Sequence, residues 1–358
     1  MRILIDIGHP AHVHFFKNAI KILKNKGHDI IVTSRDKEFA LDLLDALKLN
    51  HYPLSSLNKG GLFSLGIELI KRNIALYKIV RQHRPDIMTA IGGVSIAQVG
   101  KLTRIPSLVF YDTENAKLQN AITYPFASCV FAPRCYEAWL PKKRHVRYDG
   151  YHELSYLHPN QFKPDKKIAV DAGLDPTRDN FLLRFVSWQA NHDIGEKGFT
   201  AQLMTQLVKK LAAIGHVMIS SESELPDSCQ QYRYSGAIEQ VHHVMAFCKL
   251  HAGESATMAS ESAVLGIPAM YIANTGRGYT NEQEKTYQLV SNITELTWEN
   301  IEPVLEKMLQ TSQATWQSRK QQLLNNTIDV TQYIVDSIQS WPECLNQYQH
   351  DLHKAKKV

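Results

Sequence analysis

No apolar stretch of the chain approaches the roughly 20 residues that a membrane-spanning helix needs, so any contact with a bilayer is expected to be peripheral. Cysteine is scarce: five in 358 residues, none in a CxxC pair. That scatter argues against a thiolate zinc site or a disulfide framework. With an N-terminus that enters a strand pattern directly, it fits a cytoplasmic protein. Excess charge is scarce too, with 40 Lys and Arg against 35 Asp and Glu. The short basic runs at 141 to 148 (PKKRHVRY) and at the C-terminus (HKAKKV) read as solvated surface or as attraction to anionic phosphate or lipid. No aromatic-basic motif of a nucleic-acid binder accompanies them. What remains, 44% hydrophobic and 21% charged, is the composition of a soluble globular chain, and its length favours two domains.

The apolar pattern alternates strand and helix. Residues 2 to 8 (RILIDIG) form a continuous apolar run, as expected of a strand buried on both faces. Phe16, Ala19, Ile20 and Leu23 then share one helical face, and Gly27 is placed to end that helix. DIIVTSR follows as a second strand, and Asp36 reads as the cap of a helix running to Leu47. Further helices are expected at 67 to 83, 94 to 103 and 115 to 122, with strands at 86 to 93, 107 to 112 and 129 to 132. The polar segment 158 to 167, with two prolines, reads as a linker. Beyond it the alternation restarts with strands at 180 to 187, 216 to 221, 248 to 252 and 268 to 273; from about 298 onward only helices are expected. The fold class is therefore α/β, two Rossmann-like doubly wound domains facing a ligand cleft, with a C-terminal helical tail. The expected boundaries are 1–160, 161–328 and 329–358, the last segment packing back on the first domain.

The segment 251 to 273 (HAGESATMASESAVLGIPAMYIA) carries the most specific chemistry. Gly253, Glu254, Ser255, Ala256 and Thr257 form a small loop that lets a diphosphate approach backbone amides at a helix N-terminus. Glu261, one turn beyond Thr257, is placed to hold a ribose diol. A loop that merely turns the chain explains the same small residues equally well.

The spacing from Glu261 to Gly266 and Pro268, with His251, Gly253 and Thr257 before it, resembles the donor-nucleotide motif of GT-B glycosyltransferases. In layout the chain is similar to the N-acetylglucosaminyltransferase that completes lipid II, and to the UDP-GlcNAc 2-epimerases and nucleotide-sugar hydrolases on the same scaffold. It also resembles a bacterial and archaeal GT-B-like family with no assigned reaction. The stretch from Gly8 to Arg35 looks like the transferase's first glycine-rich loop, although Pro10 and Ala11 stand where paired glycines would precede His12. Residues 105 to 123 look like its strand-loop-helix, RFVSWQA like a glycine-rich loop, and NEQ like its donor-sugar pair.

The resemblance implies an inverting, metal-independent transfer from a nucleotide-diphosphate sugar, UDP-linked, to a glycan or lipid-linked acceptor in surface polysaccharide or glycolipid synthesis, with no cofactor. His12 would be the base, with Glu114 or Asp112 acting in its place or orienting it; an N-cap role explains Asp112 without function. Arg184 would reach the diphosphate, or else serve a structural salt bridge. Ser187 and Gln189 would line the pocket, and Glu282 and Gln283 would hold sugar hydroxyls. A 2-epimerase, a hydrolase and a non-catalytic sugar-nucleotide binder are the alternatives. The three histidines His9, His12 and His14 lack the accompanying Cys or carboxylate ligands of a zinc site, so no metal is expected. Residues 59 to 81 combine Leu62, Phe63 and Leu65 with Lys59, Lys71, Arg72, Lys78 and Arg81, the pattern of an amphipathic basic helix on an anionic leaflet or of an ordinary helix with a solvated face.

Overall fold

The N-terminal apolar run forms β1, Arg2–Ile7, in which every residue after Arg2 is buried. The computed structural model describes residues 1–36, 40–56, 62–186 and 198–355. After β1 come α1 (Pro10–Asn25), β2 (Asp29–Asp36), α2 (Ala40–Ala46), β3 (His51–Ser56), α3 (Leu62–His83), β4 (Ile87–Ile91), α4 (Val94–Thr103), β5 (Ser107–Phe110), α5 (Lys117–Thr123), β6 (Cys129–Pro133), β7 (His145–Tyr148) and α6 (Leu154–Leu157). Then follow α7 (Lys166–Asp171), β8 (Asn180–Phe185), α8 (Ala201–Ala212), β9 (His216–Ser221), α9 (Val241–Met245), β10 (Leu250–Gly253), α10 (Ala256–Leu265), β11 (Ala269–Ile272), α11 (Gly278–Lys285), β12 (Val290–Ile293), α12 (Trp298–Gln310), α13 (Gln313–Asn325), α14 (Val330–Gln339) and α15 (Glu343–Ala355). One departure from expectation is Asp36, which ends β2 rather than capping a helix.

The chain divides into two compact units, Met1–Tyr156 together with Asp329–Val358, and Leu157–Ile328. The first holds a seven-stranded sheet in the order β3-β2-β1-β4-β5-β6-β7, all neighbours parallel. The second holds a five-stranded parallel sheet in the order β12-β11-β10-β8-β9. Each sheet is doubly wound, and the strand order reverses between β1 and β4 in one and between β8 and β10 in the other. At such a reversal the connections leave in opposite directions and open a crevice beyond the carboxyl ends of the strands. Gly8 to His12 lie at the first reversal, and Gly253 to Thr257 at the second.

Inside the first unit, Phe15 of α1 packs on Phe16, Phe110 and the ring of His152, while Phe110 stacks on Phe131. Asp6 interrupts the apolar β1 and is buried, a placement that needs compensating charge. Arg72 of α3 supplies it through 2.8 and 2.9 Å contacts to both carboxylate oxygens, and the Thr33 hydroxyl donates at 2.8 Å. Arg72 therefore faces the sheet, correcting its assignment to the basic outer face of that helix. The turn from β4 into α4 needs glycine: Gly93 has φ +58°, and a Cβ there would lie 2.7 Å from the Val109 side chain.

Candidate functional site

The three N-terminal histidines point to different partners. His9 caps α1, its Nδ1 accepting the Ala11 N–H at 3.2 Å, and Pro10 occupies the first helical position, where no N–H is needed. His14 packs on the Tyr156 ring with centroids 5.3 Å apart. His12 Nδ1 accepts the Gly8 N–H at 3.2 Å. That bond places the proton of a neutral His12 ring on Nε2, which is then a donor rather than a base. Among the described residues no group of three or more His, Cys, Asp or Glu side chains is arranged to hold a metal ion.

Asp112, just beyond β5, meets a residue that the sequence did not single out. Its Oδ2 lies 3.0 Å from His152 Nδ1, and its Oδ1 accepts the Thr113 hydroxyl at 2.9 Å. Burial pushes the Asp112 carboxyl upward, but the His152 imidazole, the hydrogen bonds from His152 and Thr113 and the nearby His12 outweigh it. The result lies below the ordinary carboxylate range. His152 is buried, and its Nε2 has no hydrogen-bond partner among the described residues. The capping explanation for Asp112 does not hold, because α5 begins five residues later, at Lys117, with Ala116 at its N-cap. Glu114 turns the other way, its Oε1 accepting the Glu137 N–H at 3.5 Å.

At the second reversal, Gly253 has φ +154°, and a Cβ there would lie 2.0 Å from the Arg184 carbonyl oxygen. Contact between strands, not an approaching phosphate, is what demands glycine here. Glu254 is buried and accepts two backbone N–H groups, Val186 at 3.0 Å and Phe199 at 2.7 Å. Its carboxylate thus joins Val186 to Phe199; Ser187 and Gln189 lie outside the described residues. Ser255 caps α10, its Oγ accepting the Met258 N–H at 3.2 Å. The amides of Ala256 and Thr257 stand at the positive end of the helix dipole.

Glu261 lies one turn past Thr257, buried, with Oε1 2.8 Å from His242 Nε2 of α9. Gln283 is fully buried and donates to Ser260 Oγ at 2.8 Å, whereas Glu282 is half-buried on the same helix. Arg184 donates to Ser220 Oγ at 2.7 Å and pairs with Glu222. The sequence leaves Gln283 as a contact to sugar hydroxyls or an exposed helix start, and Arg184 as a contact to a diphosphate or a structural salt bridge. The structure gives both internal partners, because each side chain comes from an element whose neighbours already carry complementary groups.

His251 is fully buried on β10, and burial, its largest influence, holds its imidazole down at about 4 against the pull of the Glu261 charge. The unfolded chain takes up a proton below about 6.5 while the folded one does not. Stability from this group is therefore full above that pH and falls as the pH drops toward about 4. At pH 5 the loss should be about 2 kcal/mol. Urea midpoints at neutral pH and at pH 5 test this: wild type should lose more than His251→Leu, and equal losses would remove His251 as the cause.

Two doubly wound parallel sheets and C-terminal helices give this chain a GT-B-like fold, which solved structures share. UDP-GlcNAc 2-epimerase from Neisseria meningitidis bound to UDP-GlcNAc superposes with a TM-score of 0.64 at 13% identity, over 94% of this chain and 99% of that one. Spinosyn rhamnosyltransferase SpnG complexed with spinosyn aglycone gives 0.63 at 11% identity, over 95% and 100%. MurG from Acinetobacter baumannii gives 0.60 at 14% identity, over 95% and 99%. Residues 1–336 match the family described as a protein of unknown function, DUF354, and the chain belongs to that family. It is also similar to Uncharacterized protein MJ0665 from Methanocaldococcus jannaschii, 23% identical over 281 residues that make up 74% of this chain and 80% of the relative.

Proposed function

We propose that the protein is an inverting glycosyltransferase that takes a sugar from UDP and delivers it to a hydroxyl of a glycan or lipid-linked acceptor in surface polysaccharide or glycolipid assembly. The observation that carries this reading is the Asp112–His152 pair, with His12 nearby, just beyond the carboxyl end of β5 in the first unit. A carboxylate kept ionised there accepts the acceptor's proton as the new C–O bond forms and the bond from C1 to the diphosphate breaks. His12, with its proton on Nε2, donates to the reacting oxygen or to Asp112. His152 holds the carboxylate. Within the second unit, the amides of Ala256 and Thr257 are placed to stabilise a nucleotide's diphosphate and Glu261 to accept from its ribose. The step as written calls for no metal or cofactor.

A 2-epimerase is the second reading, favoured by the near end-to-end overlap with an epimerase solved with UDP-GlcNAc. Products separate the two: a transferase releases UDP only when an acceptor is present, and an epimerase returns an isomerised sugar still attached to UDP. Binding comes first. Thermal melting of the full chain with UDP, GDP, CMP and dTDP should show a rise for UDP above the others. No rise with any nucleotide at millimolar concentration would sink both readings. With a donor in hand, His12→Ala should lose turnover while retaining UDP affinity; retained turnover would remove His12 from the reaction.

A further inference from the structure

Helix α3 presents a surface that neither the fold nor the reaction uses. Ile67, Ile70, Ile74 and Tyr77 are 39%, 61%, 53% and 37% exposed. Their spacing of three, four and three residues puts them in one stripe along the helix. Lys71, Lys78 and Arg81 are exposed beside that stripe. The helix contains one acidic residue, Glu68, and it is buried against Arg35 at 2.6 Å. Arg72 is likewise turned inward to Asp6. The outer face of α3 is thus apolar and cationic, with no carboxylate. Leu102 of α4 extends it, 72% exposed. Asn73 and Gln98 bridge the two helices at 2.7 Å, and Tyr77 and Leu102 each lie one turn beyond that bridge.

Exposed apolar residues are normal when scattered singly, whereas here three isoleucines and a tyrosine line up in one stripe with cations beside it. We propose that this face of α3 docks on an anionic phospholipid surface, with the isoleucine stripe entering the boundary between headgroups and acyl chains while Lys71, Lys78 and Arg81 meet lipid phosphates. A second copy of the chain is the poorer occupant, since a two-fold contact through this stripe would set the same cations against one another with no acid to answer them. The docking does not depend on the reaction proposed above, and its test uses no nucleotide.

The test is co-sedimentation of the full chain with vesicles of phosphatidylcholine alone, and with phosphatidylglycerol added at about a third of the lipid, at low and high salt. Wild type should partition to the anionic vesicles roughly tenfold better than to the neutral ones, and this preference should shrink as salt rises. Substituting Ile70→Asp together with Ile74→Asp should lower partitioning on anionic vesicles roughly tenfold, and Lys71→Glu with Lys78→Glu should abolish the preference for them. All four positions are exposed, so the melting temperatures of the variants should match wild type and confirm that they fold. Wild type that ignores anionic vesicles overturns the proposal, as does an aspartate pair that binds like wild type. A wild-type dimer in light scattering that the aspartate pair converts to monomer would assign the stripe to a second copy instead.

Discussion

Asp112→Asn is expected to lower turnover by roughly 10² to 10⁴, the usual contribution of a positioned proton acceptor, while leaving affinity for UDP within about twofold. Asn keeps the shape of the side chain and can still meet His152, so a collapse of the site is not what the variant measures. His152→Gln is the informative companion. In wild type the His152 imidazole is the largest influence holding the Asp112 carboxyl down, against a burial that pushes it up. Without that imidazole, burial dominates and the carboxyl protonates at higher pH. The acid limb of kcat should therefore move upward in His152→Gln, whereas a purely structural role for His152 would lower stability and leave the limb in place. Full activity in Asp112→Asn would transfer the proton to Glu114 or to water.

Glu261→Ala should have the second large effect, in two separable parts. The Oε1 contact with His242 is buried on both sides, and leaving a buried polar group without its hydrogen-bond partner costs about 1–3 kcal/mol. The urea midpoint should fall accordingly. Saturating UDP should raise the stability of wild type by about 3 kcal/mol at a hundredfold excess over Kd, and the alanine variant should lose that gain. Glu261→Gln separates the parts, because it keeps volume and one acceptor for His242 while weakening the ribose contact. UDP stabilising Glu261→Ala as strongly as wild type would leave Glu261 a structural residue of α10 and nothing more.

The strands that the sequence concealed share one physical property. β3 (HYPLSS), β7 (HVRY) and β12 (VSNI) are all sheet edges. A central parallel strand is covered by helices on both faces and reads as an unbroken apolar run, whereas an edge strand is short, polar and tolerant of proline. β1, β5, β6, β8 and β10 were legible for the first reason. His152 stayed hidden with β7: it follows a strand that carries no apolar run, and its partner Asp112 is remote in sequence. A histidine a few residues past an edge strand was the one available signal. Arg72 was misjudged because helical spacing places a cation on a face but does not show whether Asp6 waits beneath it. Gly253 and Gly93 were visible as glycines, yet only backbone angles and neighbours say which of them turns the chain and which admits a strand.

The first unit is closed by the end of the chain. α14 packs on α1, the Thr331 hydroxyl donates to the Ser155 carbonyl, and the Lys26 ammonium reaches the Gln339 amide at 2.7 Å. During synthesis the seven strands of the first sheet emerge long before Val330–Gln339 does, and the whole of Leu157–Ile328 is made in between. Until α14 has been made, one flank of α1 therefore lacks its cover, whereas the inserted unit is continuous in sequence. For this protein the order of maturation runs against the order of translation: the unit that begins first is finished last.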